Sequence, residues 1–310
     1  MKLTLALATV VALGSASTAN AAVNLGSLGN YGIVELGSHL DTHGNVVHDN
    51  VNINSGPNTG NVLVGQGATG TSAGGGNGSI NGTVYVDGTG TVDFSHLQTP
   101  YPNSSQVTVS TTVTQQALTD AQNLSTFAAG LSANQTLASI TSATTFTCLT
   151  GGGCSQYVVD VTGNISNATI TLVGDANSTF IFNISGNYST NKDIVLSGNI
   201  NPNNILWNLL GSSGNILQTS GGAGNCGQSA TCLVGTFLAV NGGNFQFSNL
   251  GLDGRLVNTA GNMQIVSGSA FNAPPALPEP GTWAMMLLGF GAIGGTLRFK
   301  RRKRLAELPA

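Results

Sequence analysis

Five candidate ligands fall within the eleven residues HLDTHGNVVHD: His39, Asp41, His43, His48 and Asp49. Imidazole nitrogens and carboxylate oxygens are common donors to divalent metals. On an extended strand the alternation of His39, Asp41 and His43 places all three on one face. The spacing is not that of a helical HExxH zinc site, and no general base stands nearby. The expectation is a solvated His- and Asp-rich loop with no metal or cofactor; His39, Asp41 and His43 are the candidates if a metal is held.

Other chemistry-bearing residues are sparse. Two-carboxylate hydrolysis could draw on Asp160, Asp175, Asp193 or Asp253, yet nothing in their spacing selects a pair. A charge clamp for acidic glycans would have to use Lys192 or Arg255, beside Asp193 and Asp253 in sequence. Such Lys-Asp and Asp-Gly-Arg groupings read as surface salt bridges or turns. The chain lacks G-x-S-x-G, and all four histidines precede Gln98, so no hydrolase triad is suggested. No enzymatic activity is expected.

Four cysteines occur at two equal spacings, Cys148 to Cys154 and Cys226 to Cys232. An even count in an exported chain suggests disulfides. Each pair could close its own short Gly-containing loop, worth about 2 kcal/mol, or the bridges could run between the loops; two local bridges are favoured. Zinc is disfavoured, because structural four-Cys sites use tighter spacing.

Export follows from the N-terminus: Lys2, an apolar core from Leu3 and the Ala19-Asn20-Ala21 pattern make residues 1–21 a signal peptide. Between Ala22 and Leu277 only Lys192 and Arg255 are basic against ten acidic residues, a net charge of −8. Phosphate binding needs a basic stripe, so nucleic acid is excluded as a partner.

The opposite end concentrates the missing positive charge. Pro278-Glu279-Pro280 is followed by the uncharged apolar run Gly281 to Leu297 and then by Arg298, Lys300, Arg301, Arg302, Lys303 and Arg304. Seventeen helical residues span about 26 Å, close to a bilayer's hydrocarbon thickness. A basic stop stays cytoplasmic, so the large domain should face outward. Prolines in the approach keep the backbone extended, as a processing enzyme would need. This order of features resembles the PEP-CTERM sorting signal of Gram-negative bacteria that make extracellular polysaccharide. The resemblance implies transient anchoring in the inner membrane and processing by an exosortase, with delivery to the cell surface or matrix.

What must carry these features is β-rich. Short strand-like pieces, YGIVEL, GNVLVG and GSINGTVYVDG, precede about Pro102, with Gly65 to Gly78 reading as a glycine-rich loop. One helix is expected over residues 112–131, burying Val113, Ala117, Ala121, Leu124, Ala128 and Leu131. After it come YVVDV, ATITLV, STFIFNI, DIVLS, NILWNLL, GTFLAV, NFQFS, RLV and MQIV, separated by GN, SG or GG. Such a succession suits a stacked β-solenoid, although no strict period can be read, and a β-sandwich is the alternative.

FIFNISG, NNILWNLLG and the GTFLAV to GRLV succession resemble the ice-binding-like family of secreted bacterial proteins. That resemblance implies an all-β, right-handed β-solenoid with one long α-helix alongside it, over residues 22–270. A Pro-rich linker (271–280), a transmembrane helix (281–297) and a basic tail (298–310) would follow. Ice binding belongs to some members and needs stacked Thr-x-Thr pairs; Thr69 to Thr71, Thr89 to Thr91 and Thr169 to Thr171 read as isolated. The expected function is that of an exported structural or adhesive protein associated with exopolysaccharide. Ice binding and a glycan-active enzyme are the alternatives.

Overall fold

The computed structural model describes residues 23–40, 46–54, 56–72, 78–97, 106–220, 232–249, 251–266 and 269–273. The expected signal peptide, residues 274–280 with the sorting tripeptide, Gly281 to Leu297 and the basic cluster lie outside these residues, while Phe271 and Asn272, expected to begin the linker, belong to the strand Ala270–Asn272, which pairs with Gly251–Asn258. Among the described residues no helix is long and apolar enough to cross a membrane.

Parallel strands stack into three faces. The largest sheet has 13 strands, and its main path runs Gln106–Val109, Val84–Asp87, Val62–Val64, Ile33–Glu35, Gly251–Asn258, Cys232–Ala239, Ile205–Leu209, Thr179–Ile184, Gln156–Val161 and Gln135–Leu137. Eight strands make a second face, from Thr91–Asp93 at one end to Ile165–Ser166 at the other. Thr144–Cys148, Ile170–Gly174 and Ile194–Ser197 form a three-stranded third face. Every pairing in these faces is parallel, as a solenoid requires and an antiparallel sandwich would not show.

The strand order is not the chain order. The chain enters at Ile33–Glu35 in mid-stack, coils to one end at Gln106–Val109, and resumes at the other end with Gln135–Leu137. It then coils back until Gly251–Asn258 pairs with Ile33–Glu35, setting Leu256 against Ile33. Helix α1, Thr111–Ala129, makes the crossing. Its 19 residues cover about 28 Å, most of the roughly 43 Å that nine strand spacings require.

Interior side chains line up along the stack because parallel, in-register strands place like positions above one another. Val159, Phe182, Trp207, Phe237, Leu256, Ile33, Val62 and Val84 form one such column. Its aromatic centre stacks Phe182 on Trp207 at 4.2 Å, with Tyr188 edge-on to Trp207 at 5.5 Å. Corner glycines allow the coils to approach: a Cβ at Gly261, whose φ is +114°, would lie 2.1 Å from the Gly243 carbonyl.

The helix starts one residue earlier and ends two earlier than its apolar periodicity predicts, with Gly130 as its C-cap. Its buried stripe keeps Ala117, Ala121, Leu124 and Ala128 but replaces Val113 and Leu131 with Thr114 and Ser125. Both replacements are polar residues with specific partners. Thr114 Oγ1 donates to Asp87 Oδ2 at 2.7 Å, and Ser125 Oγ donates to Asn208 Oδ1 at 2.7 Å. The glycine-rich stretch from Gly65 to Gly78 is not wholly a loop: Thr69–Thr71 is a strand of the second face. Gly70 must be small there, since a Cβ would meet the Phe94 ring at 2.9 Å.

Candidate functional site

The second face supplies the broadest array of like groups. Alternation turns every other residue outward, and strand register aligns those residues in columns. Ser166, Ser189, Gln218, Gln246, Gln264, Asn52 and Thr71 follow one another in register, and Asp93 ends the column. All eight are exposed or part-exposed. Seven carry an uncharged hydroxyl or amide, the groups that exchange hydrogen bonds with sugars and with water alike.

A parallel row of asparagines stiffens the corner beside that column. Asn262 Oδ1 accepts from the Asn50 N–H at 3.1 Å, and Asn244 Oδ1 accepts from the Asn262 N–H at 2.9 Å. Lower in the stack Asn164 Oδ1 accepts from the Asn187 N–H at 2.9 Å. The sequence signal was the recurring GN dipeptide at residues 163, 186, 214, 243 and 261. Coils of unequal length hid it from any search for a fixed period.

The threonine pairs fall on two faces. Thr69 and Thr71 stack on Thr91 and Asp93 on one side and on Asn50 and Asn52 on the other, so Thr-x-Thr does not continue from coil to coil. The Asn50 amide also donates to Thr69 Oγ1 at 2.9 Å and to Thr71 Oγ1 at 3.2 Å. On the third face Thr145 and Thr147 register with Thr171 and Val173, and these with Val195 and Ser197. This is a small outward patch of methyl and hydroxyl groups. Thr171 belongs to it, and Thr169 just precedes its strand.

The carboxylates considered for catalysis are spread around the stack, each with a structural partner. Asp160 accepts from Asn183 Nδ2 at 3.0 Å, and Asn183 in turn donates to the Ala128 carbonyl at 2.9 Å. Asp175 accepts from the Thr150 N–H and hydroxyl at 2.9 and 2.6 Å; these bonds, against slight desolvation, hold its carboxyl below the usual range. Asp193 Oδ1 accepts from the Cys232 N–H at 2.7 Å. Asp253 is raised by burial, with Arg255 and Asn272 acting in the opposite direction.

Arg255 is the clearest departure from the sequence reading. Far from a surface turn, it is 1% exposed and hydrogen-bonds to Asn203 Oδ1 and, at 3.1 Å, to the Gly29 carbonyl. It ties the turn Gly26–Asn30 to the coil at Pro202–Asn204. Burial lowers its pKa to about 10, with Asp253 opposing.

Of the His-rich segment, Ser38–Leu40 and Val46–His48 form an antiparallel hairpin in which His39 faces Val47 and Ser38 faces His48. Asp41 and His43 lie outside the described residues, and no group of three potential metal ligands occurs among the described ones. At the hairpin's root Glu35 and Asp49 are both fully buried. Neither Glu35 oxygen has a hydrogen-bond partner. Burial first, and the Asp49 charge second, push the Glu35 carboxyl well above its ordinary value.

Cys148 and Cys154 form a disulfide, with Cα atoms 5.0 Å apart. Cys232 is also disulfide-bonded, and Cys226, the one cysteine then left in the sequence, lies outside the described residues.

Residues 276–303 match the PEP-CTERM protein-sorting motif. The sorting motif spans the tripeptide, the apolar run and the basic cluster through Lys303. No curated protein matches the chain. Among solved structures, an ice-binding protein with antifreeze activity from an Arctic yeast is similar at a TM-score of 0.54 and 15% identity, covering 83% of this chain and 95% of its own. The DUF3494 domain of an ice-binding protein of Shewanella frigidimarina is similar at 0.51 and 18% identity, covering 81% of this chain and 97% of its own. These likenesses establish a shared fold: mostly β, parallel, with one helix alongside.

Proposed function

We propose that this is a non-enzymatic exported protein, processed by an exosortase through its PEP-CTERM motif and retained at the cell surface or in the matrix by contact with exopolysaccharide. The observation that carries the reading is the uncharged column Ser166, Ser189, Gln218, Gln246, Gln264, Asn52 and Thr71 on a face stiffened by asparagine bonds. Fixed amides and hydroxyls can replace the water around a neutral or acidic glycan with little ordering cost. The net charge of −8 over residues 22–277 limits simple electrostatic capture. In this reading residues 281–297 form the temporary membrane helix, the basic cluster 298–304 stays cytoplasmic, and the solenoid coils with a right-handed sense.

Co-sedimentation with the host's purified polysaccharide tests the assignment. Replacing Gln218, Gln246 and Gln264 together with Ala should cut the bound fraction at least tenfold, about 1.4 kcal/mol, while leaving the circular dichroism unchanged. Equal sedimentation of the variant and the native chain would reject this face as the glycan surface.

Ice binding is the second reading, favoured by the third-face patch of Thr145, Thr147, Thr171, Val173, Val195 and Ser197. Rows about 4.8 Å apart with i, i+2 residues about 6.6 Å apart form a flat methyl and hydroxyl lattice, though only three strands wide. If ice is the ligand, the protein halts ice recrystallisation and Thr147→Lys abolishes the effect. Recrystallisation at the buffer rate would discard this reading.

A further inference from the structure

We propose that the cavity beside α1, walled by the helix, the N-terminal segment and the first residues of two coils, is a binding pocket for one neutral sugar ring of a glycan. The site adds to the glycan reading and rests on it for the class of ligand. It shares no residue with the outward column of the second face.

Asp120, Asn123, Leu124 and Phe127 recur at the i, i+3, i+4 and i+7 spacing that sets them on one side of α1. Opposite them, Thr179 and Ile181 alternate on the helix-facing side of the strand Thr179–Ile184, and Gln156 pairs with Thr179 in register. The segment from Val23 to Gly26 makes the third wall. Asp120 holds it in place: its Oδ2 accepts from the Ser27 N–H at 2.8 Å and from the Ser27 hydroxyl at 2.6 Å. The cavity measures about 370 Å³, toward the small end of the range for ligand clefts.

The lining has the chemistry that a pyranose requires. Phe127 is 59% exposed while lining the cavity, so its ring offers a platform for the apolar C–H face of the sugar. Thr179 is only 3% exposed, and its hydroxyl has no hydrogen-bond partner. A buried hydroxyl left unpaired costs stability, which a sugar hydroxyl bonded to it would recover. Asn123 and Gln156 add amides that both donate and accept. The one charged group in the lining is the Asp120 carboxylate, and no lining residue is basic. An acidic sugar would therefore meet repulsion without a compensating cation, and a neutral one would not.

The test uses the full chain in a sugar-free detergent and saturation-transfer NMR with the methyl glycosides of glucose, galactose and mannose, with glucuronic acid as the charged control. At least one neutral glycoside should bind saturably, and glucuronic acid at neutral pH should bind about tenfold more weakly or not at all. Phe127→Ala removes an exposed ring, and Thr179→Val keeps the shape while deleting the hydroxyl; each should weaken the neutral glycoside about tenfold or more. Should Thr179→Val fail to fold, Phe127→Ala decides alone. Replacing Gln218, Gln246 and Gln264 with Ala should leave glycoside binding unchanged even where it abolishes co-sedimentation with polysaccharide, so the pocket and the column fail separately. Absence of binding by all three neutral glycosides, equal binding of glucuronic acid, or unchanged affinity in Phe127→Ala would overturn the proposal.

Discussion

The residues with the sharpest consequences are buried polar groups that hold elements together. Burial alone would raise Asp87, but hydroxyls of Thr114 and Thr89 and the Thr89 N–H outweigh it and hold the carboxyl below its usual range. A lowered folded pKa contributes stability that is present above the unfolded value of about 3.9 and disappears as pH falls through the folded value. Asp87→Asn should therefore cost about 1–3 kcal/mol in urea unfolding at neutral pH, with the difference from the native chain shrinking as the pH falls from about 3.9 through the folded pKa and gone below it. Arg255→Met should cost about 3 kcal/mol, because Asp253 and the Asn203 and Gly29 acceptors lose their cation. A chain as stable as the native one would show that the Gly29 tether is redundant. Arg255 read as a surface residue in the sequence, since charged side chains are exposed by default, and nothing in the sequence singled out Asp87. Their burial depends on α1 and the Gly26–Asn30 turn covering one face, which local sequence does not encode.

Among the elements, α1 was legible from its alanine spacing, and its docking was not. Asn208 donates to Asn183 Oδ1 at 2.9 Å and to the Ser125 carbonyl at 3.1 Å, forming a polar ladder beneath the helix. Lone asparagines in STFIFNI and NILWNLL carried that signal, but only the register that places Asn183 beside Asn208 makes it readable. Ala117 and Ala121 are fully buried against the sheet. Ala121→Leu should overpack this seam by about 1–3 kcal/mol, and hydrogen exchange should locate the loss in α1 before the coils. Exchange uniform over the molecule would mean that helix and stack unfold together. Nine of the fifteen strands described after α1 were legible, because their β-branched and aromatic runs end at Gly and Asn corners; Gln135–Leu137, Thr144–Cys148, Ile165–Ser166, Tyr188–Thr190, Asn215–Thr219 and Ala270–Asn272 were not. The corner spacing tightens at Gly261, where Gly261→Ala should cost more than 1 kcal/mol through both φ and the clash with Gly243.

For the whole molecule, the solenoid and the sorting tail were readable for different reasons. The tail is contiguous and carries its physics in sequence order: stiff prolines, an apolar run, a basic stop. The solenoid's mid-stack entry and return could not be read, because the pairing of Leu256 with Ile33 joins residues more than two hundred positions apart. The outward columns were hidden for the same reason, since each is assembled from one residue per coil. Export, sorting and display together form the central claim, and the intact mass of the native protein recovered from the host's outer surface or matrix tests it most directly. The account predicts a mass that lacks both the signal peptide and everything beyond the Pro278-Glu279-Pro280 region. A mass that still includes FKRRKRLAELPA would contradict it, leaving a protein that keeps its anchor and is not released by an exosortase.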